Sequence, residues 1–546
     1  MDFHRLQRWC PHQVSLNGAT LAFAAEIKYL GVWLDSSLSW RRQIAETVSS
    51  CMMRLKSLRR LAATHWGLHP SIMAFLIKAI VFPRLLYGAT AWGSAVQYQN
   101  RIAPLDRVLR YAAILTLGLL SSTSQGRALA ACGWLPAELM IRQALMRFLV
   151  RQSSYGRNDL LALPLDPGMN QIISTADIGR QELRLFRRMC PSEAATWTRI
   201  SRTRTWTRPP WEHPEPVDCY FPPRATSGDQ LLAAMQDSHQ TWVFTDGSVM
   251  GQRSGASAVF VDPITSSHAE VGIYLGPLQA STDAEVAGLH LAVRQLMAHS
   301  DWSRATIVSD SSAALHRLIG SPWRRDWESL CVLREHIHGL QERGQSLSFW
   351  WVPGHCDIAG NEAADRAAKA AVSAGTPQGE FWVSPYMMGQ ALQRWYERRV
   401  RAQEYASTGF ILDDHEDPVI HSDLRWTRLI PTRRGVALTA QFITGHFPTA
   451  AYLASRHLCP SGLCEACGVL ATREHLLLDC DCHRYHREEL SNWLHSVASS
   501  RPQASTSSPP WRWSWEFLVT TNPGRLWLAR FLVRVWPRHS VISHQA

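Results

Sequence analysis

Lysine is scarce. Lys28, Lys56, Lys78 and Lys369 are the only lysines in 546 residues, so 52 of the 56 basic side chains are arginine. Arginine forks suit phosphate contacts, although so sweeping a bias equally fits a GC-rich coding sequence. Long hydrophobic runs are also missing. The most apolar stretch, 71–92, is interrupted by Lys78, Pro83 and Arg84 and reads as core helix, not a membrane span. Met1-Asp2-Phe3-His4-Arg5 lacks the apolar run of a secretory signal. The expectation is an intracellular protein of cytoplasm or nucleus with no membrane partner. There is no disulfide framework: seven of the 12 cysteines are scattered from Cys10 to Cys356, and five crowd between Cys459 and Cys482. That is a metal-site distribution and implies a reducing compartment.

What is present describes a globular chain of several domains, with 46% hydrophobic and 18% charged residues. The net charge of +11 favours a polyanionic partner or, more blandly, a solvated basic surface. Some of the 24 tryptophans could stack on bases.

Pattern divides the chain. A strand-like stretch, Tyr29 to Asp35, precedes helical spacing through Ile44, Val48, Met52, Leu55 and Leu58, with Arg54, Lys56, Arg59 and Arg60 on a basic side. The Pro-, Arg- and Trp-rich stretch 199–228 reads as linker. From about Gln240 strands alternate with helices: a strand at 241–245, hairpin partners at 256–261 and 269–275, and a helix capped by Thr282 and running to about His299. A strand at 306–309, helices near 311–319 and 325–342, a last strand at 347–352 and a helix from Gly360 follow. The division expected is 1–175, a linker at 176–237, an α/β domain at 238–375, a helical connector at 376–455, a Cys/His motif at 456–490, and a Ser/Pro linker with a Trp/Arg-rich end at 491–546.

Four acids stand at telling positions of the α/β domain: Asp246 ending the first strand, Glu285 one turn into the first helix, Asp310 closing the fourth strand, and Asp365 in the first turn of the last helix. Carboxylates at strand ends and helix starts can converge on one sheet edge. Such a cluster repels itself unless cations intervene, and hard oxygen ligands select Mg²⁺ or Mn²⁺. Two ions about 3.5–4 Å apart can activate water and stabilise the departing oxygen of a phosphodiester. A lone acid at any one of these places is ordinarily surface or cap; four in this order and register are not.

Thr245-Asp246-Gly247-Ser248, Ala284-Glu285, Ser309-Asp310-Ser311, and Trp351-Val352-Pro353-Gly354-His355 with Gly360-Asn361-Glu362-Ala363-Ala364-Asp365 resemble type 1 ribonuclease H in its retroelement form. The resemblance implies a mixed five-stranded sheet flanked by helices and an endoribonuclease acting on the RNA strand of RNA–DNA hybrids. It also implies two Mg²⁺ held by Asp246, Glu285, Asp310 and Asp365, with His355 assisting turnover or product release. The series ends in aspartate, against the retroviral integrases, whose acidic triad ends in glutamate. Residues 320–325 leave no room for the extra basic helix of some cellular enzymes, so hybrid binding would fall to Arg324, Arg325 or flanking domains.

Ile27 to Asp35 with Leu38-Ser39-Trp40, and Pro83 to Trp92, resemble the post-palm and thumb–connection parts of non-LTR retrotransposon reverse transcriptases. Paired palm aspartates do not precede Tyr29, and Asp413-Asp414 reads as surface, so no polymerase activity is expected and the chain reads as the C-terminal part of such a polyprotein. Cys464, Cys467, His475 and Cys480, spaced Cys-x2-Cys-x7-His-x4-Cys, suit a closed structural Zn²⁺ site within a C-terminal helical region. With Thr444-Gly445-His446 they resemble the C-terminal zinc motif of the same elements; Cys459 or Cys482 could substitute as ligands. Arg456, Arg473, Arg484 and Arg487 offer phosphate contacts or merely a solvated face. The partners expected are the hybrid, RNA, DNA and other retroelement proteins. Rival readings are a catalytically silent nucleic-acid-binding remnant and a DNA-cutting integrase relative.

Overall fold

The computed structural model describes residues 14–154, 175–191, 217–236, 240–374, 383–408, 424–499 and 522–536, less short gaps at 18, 22–23, 64–65, 237–239, 252, 262–267, 278, 300–301, 320–325 and 355–357, together with 200, 203–204 and 518. Arg324, Arg325, His355, the acidic stretch at 413–414 and the Ser/Pro stretch 501–510 lie outside the described residues. The chain divides into two units, 145–395 and a second made of 1–144 with 396–546.

The first unit is built on a six-stranded mixed sheet. In chain order its strands are β1 (Asp218–Tyr220), β2 (Thr241–Met250), β3 (Arg253–Val261), β4 (His268–Gly276), β5 (Arg304–Ser309) and β6 (Ser346–Trp351). Their spatial order is β1-β6-β5-β2-β3-β4. β2, β3 and β4 form an antiparallel meander, while β5 runs parallel to both β2 and β6. Residues 242–246 are buried without a break, as in a central strand covered on both faces. The helices are α1 (Ser281–Ala298), α2 (Ser312–Leu318), α3 (Glu328–Glu342) and α4 (Ala359–Ala374).

Small residues set how closely helix and sheet approach. α4 turns Ala363, Ala364, Ala367, Ala368 and Ala371 inward, and these meet Gly255 of β3 and Gly272 of β4. A Cβ on Gly255 would lie 2.9 Å from the Ala368 carbonyl, and one on Gly272 3.2 Å from that of Ala367. The Ser257 hydroxyl donates to the Ala364 carbonyl at 2.7 Å, so this buried polar group at the contact is paired. On α1 the close contact is Gly247: a Cβ there would sit 2.3 Å from the Glu285 nitrogen.

Several expectations need correction. The supposed linker at 176–237 carries β1, which pairs parallel with β6 and makes the sheet six-stranded instead of five-stranded. It also overlaps a helix, Thr175–Met189, with Ile178, Leu183 and Phe186 buried. Four arginines in that helix hide its apolar spacing, and Pro222-Pro223 obscures an edge strand only three residues long. Asp246 lies mid-strand, because the hairpin with β3 continues to Met250. Asp365 is in the second turn of α4, which starts at Ala359. Thr282 does not cap α1; the N-cap is Ala280, without a side-chain bond. Tyr29 to Asp35 is a hairpin turn and its second strand, Glu26–Tyr29 pairing with Val32–Asp35 across Leu30-Gly31, whose φ values of 46° and 81° suit a two-residue turn.

In the second unit, segments far apart in sequence pack together, where the sequence suggested successive modules. The Arg433 guanidinium donates to the Leu68 carbonyl at 2.7 Å and the Leu115 carbonyl at 2.8 Å, tying helix Arg433–Ile443 to the N-terminal helices. Leu438, Phe442, Phe447, Leu477, Leu528 and Phe531 form a C-terminal core. The apolar stretch 71–92 is split into short helices with Met73, Ile77, Val81, Leu85 and Trp92 buried. Among the described residues no single helix is long and apolar enough to cross a membrane.

Gly247→Ala should lower the melting temperature by an amount corresponding to about 1–3 kcal/mol of overpacking, because the groups in its way are backbone. Gly339→Ala, in α3 with nothing within 4 Å of the added carbon, should be neutral or slightly stabilising by thermal denaturation.

Candidate active site and Cys/His centre

Strand register brings the first acids together. Thr245 of β2 pairs with Ser309 of β5, so Asp246 and Asp310 are each one residue further along neighbouring parallel strands, which lie about 4.8 Å apart. Glu285 reaches them from α1 because Gly247 lets the helix backbone touch the strand. One carboxylate oxygen from each of Asp246, Glu285 and Asp310 lies within 4.8 Å of the other two. Asp246 and Glu285 are both 8% exposed. Asp310 is held by its surroundings: the Trp351 indole N–H donates to its carbonyl at 3.0 Å, and a Cβ on Gly354 would come within 3.0 Å of its Oδ2. Ser311 follows at once and accepts the Ala314 N–H, starting α2.

The charges are poorly compensated. Burial, then the Asp310 charge, pushes Asp246 up to about 6, against a lowering bond from the Gly247 N–H. Burial, then Asp246 and Asp310, pushes Glu285 up to about 9. Glu285 Oε2 is buried and has no hydrogen-bond partner.

Asp365 is not in the three-acid grouping. It is more exposed and pairs with Lys369 at 2.7 Å, one turn along α4. Its charge still raises Asp246 and that of Lys369 lowers it, so both stand at the rim of the cluster. Lys369 was missed from the sequence; its place four residues after Asp365, as one of only four lysines, was the available signal. Asn361 of the same motif was also missed, and its Oδ1 is buried without a partner.

Near the C-terminus, Cys464, Cys467, His475 and Cys480 each offer a ligand atom within 4.8 Å of the others. Cys464 Sγ is 3.8 Å from Cys480 Sγ, and Cys467 Sγ is 4.0 Å from it. The edge of a tetrahedron with 2.3 Å metal–sulfur arms is about 3.8 Å, so the spacing fits a four-coordinate ion. A tight turn builds it: the Gly468 N–H donates to the Cys464 carbonyl at 2.8 Å, with Gly468 at φ 70°. The Asp481 N–H donates to Cys467 Sγ at 3.3 Å. His475 beside it holds the Cys464 thiol down to about 6, while burial pushes Cys480 up to about 12. Cys459, whose Sγ contacts the Ser461 carbonyl, and exposed Cys482 are not part of this grouping. His446 is also outside it and bonds the Tyr452 hydroxyl at 3.1 Å.

Residues 238–373 match the family model for RNase H. The Pol polyprotein of the type-1 retrotransposable element R1 from Nasonia vitripennis is 21% identical over 181 residues, covering 33% of this chain and 50% of that protein. The RNA-directed DNA polymerase from mobile element jockey of Drosophila funebris is 36% identical over 107 residues, covering 19% of this chain and 12% of that protein. RNase H1 from the archaeon Halobacterium salinarum, a crystal structure, is 22% identical with a TM-score of 0.21, covering 25% of this chain and 99% of that one. LC11-RNase H1, solved in complex with an RNA/DNA hybrid, is 21% identical with a TM-score of 0.21, covering 24% of this chain and 97% of that one. The chain spans half or less of the length of these retroelement relatives.

The mixed sheet, its helices and the family match define residues 238–373 as an RNase H domain. The chain that carries it is homologous to the Pol polyproteins of the R1 and jockey non-LTR retrotransposons.

The raised acids set a pH dependence of stability. Glu285 has a folded value of about 9 against an ordinary 4.5, so its contribution is fully present below the unfolded value and is lost as pH rises toward 9. In chelator, the melting temperature of the full chain relative to a Glu285→Gln variant should therefore fall between pH 5 and 8. Added Mg²⁺ should remove that fall.

Proposed function

We propose that this chain is an endoribonuclease that hydrolyses the RNA strand of RNA–DNA hybrids, using two Mg²⁺ or Mn²⁺ ions bound by Asp246, Glu285, Asp310 and Asp365. The observation that carries this reading is the meeting of three carboxylates, Asp246 and Glu285 buried and Asp310 half-buried, in which Glu285 Oε2 has no protein partner. The donor set is all oxygen, which fits a hard divalent cation, and an unpaired buried carboxylate oxygen is costly without one. When bound, such a pair supplies Lewis-acid stabilisation and a water of lowered pKa for in-line displacement at phosphorus.

The chain's own residues have separate parts in this reading. Asp246 and Asp310, fixed by strand register, hold the two oxygens whose spacing the backbone dictates. Glu285 closes the site from α1. Asp365 completes it from the rim, oriented by Lys369. His355, from the motif beginning at Trp351, is assigned the turnover step by its place in that motif. Discrimination for RNA falls to contacts with the 2′-hydroxyl across a wide minor groove.

Zn²⁺ at Cys464, Cys467, His475 and Cys480 would be structural, because all four positions are filled by the protein. It would fix the turn against the C-terminal core. Arginine-rich flanks make RNA, DNA and the hybrid the natural partners, with other retroelement proteins as further ones.

The full chain should cleave a labelled hybrid in Mg²⁺ and leave the matching DNA duplex intact. Asp310→Asn should be slower by roughly a thousandfold, since loss of one ligand forfeits several kcal/mol of transition-state stabilisation. A wild-type rate no higher than that of the Asp310→Asn control would leave only a silent binding remnant; strand transfer on DNA ends would favour the integrase reading.

A further inference from the structure

Two helices of the second unit enclose a cleft that the ribonuclease reading does not use. Helix Arg484–Ser499 begins just after Cys480 of the Cys/His centre, and its Arg487 donates to the Cys480 carbonyl. His486, Glu489 and Trp493 lie three and four residues apart, so they share one face of this helix. Helix Asn522–Val535 presents Trp527, Arg530, Phe531 and Arg534 at the same spacing. These side chains line a cavity of about 140 Å³, and a void of about 150 Å³ takes one benzene-sized ring.

The walls are aromatic and the rim is mostly cationic. Phe531, Trp527 and Trp493 form a ladder of near-parallel rings, with centroids 5.4 and 6.3 Å apart and planes inclined by 23° and 22°. Phe531 and Trp527 are buried in the C-terminal core, while Trp493 is half-buried. An apolar core closes on itself; this ladder ends at a void. At the rim Arg534 pairs with Glu489 at 2.6 Å. Arg530 is exposed and has no hydrogen-bond or ion-pair partner among the described residues. His486 has a buried Nδ1 without a hydrogen-bond partner.

A ring at the end of a ladder takes another flat ring, and a nearby guanidinium takes an anion attached to that ring. A nucleotide of an unpaired strand joins the two; within a duplex the faces of the bases are already covered. We propose that this cleft binds an unpaired nucleobase of a single-stranded nucleic acid, with the base stacked on Trp493 and its phosphate held by Arg530. Trp527 and Phe531 set the plane of the Trp493 ring, and the Cys/His centre anchors the helix that carries it. No residue of the carboxylate cluster takes part, so the site is independent of the ribonuclease reading.

Fluorescence anisotropy of the full, zinc-loaded chain with labelled single-stranded DNA tests it, beside an abasic strand of equal length and charge. The intact strand should bind about tenfold tighter than the abasic one. Trp493→Ala should abolish that difference and leave the salt dependence unchanged, whereas Trp493→Phe should keep most of it. Arg530→Ala should weaken both strands and flatten the slope of log Kd against log salt by about 0.7, the value for one phosphate of a single strand. A preference that persists in Trp493→Ala would overturn the site, as would no preference in the wild type. If Trp493→Ala does not fold, Arg530→Ala decides: an unchanged slope there would overturn the site and leave the cleft to a protein partner.

Discussion

Negative charge held in a poorly hydrated place is the constraint on which the RNase H unit turns. Three carboxylate oxygens lie within 4.8 Å of one another; burial first, and the neighbouring charges second, raise the proton affinity of Asp246 and Glu285. Left to themselves these side chains would rotate apart into water. They do not, because each is fixed by backbone. Parallel register sets Asp246 beside Asp310, and a glycine at 247 allows α1 to bring Glu285 against the strand. The alanine face of α4, seated on Gly255 and Gly272, brings Asp365 to the rim. Close helix–sheet packing and site assembly are one set of contacts, so mutations that loosen packing should also loosen the acids.

The candidate site was largely legible in the sequence, because residue type and order along the strands and helices spell its chemistry, although Asp246 lies mid-strand and Asp365 stands outside the three-acid grouping. Asp246, Glu285 and Asp310 meet as their positions in strands and helix imply, and so do Cys464, Cys467, His475 and Cys480. Less legible were features that depend on partners far away in the chain. β1 is too short to show alternation and exists because β6 offers it an edge. Helix Thr175–Met189 keeps its apolar stripe inward among arginines that suggested linker. Thr282 had the right residue type for a cap, but the chain enters α1 two residues earlier, at Ala280.

The second unit follows another logic. Residues 1–144 and 396–546 fold as one body, joined through groups such as Arg433, whose guanidinium binds carbonyls more than 300 positions earlier. No local pattern announces such a contact. The sulfur spacing of the Cys/His centre, by contrast, is set within 17 residues by a turn at Gly468 and a following helix, which is why the motif could be read directly.

The central claim is that the acids exist to share divalent ions, and the most direct measurement is electron paramagnetic resonance of the full chain, with the Cys/His centre zinc-filled, titrated with Mn²⁺ in the presence of hybrid. The account predicts two bound Mn²⁺ with spin coupling from a separation of about 4 Å, and loss of the coupled pair in Glu285→Gln. Binding of a single isolated ion, or the same spectrum in Glu285→Gln as in wild type, would contradict it.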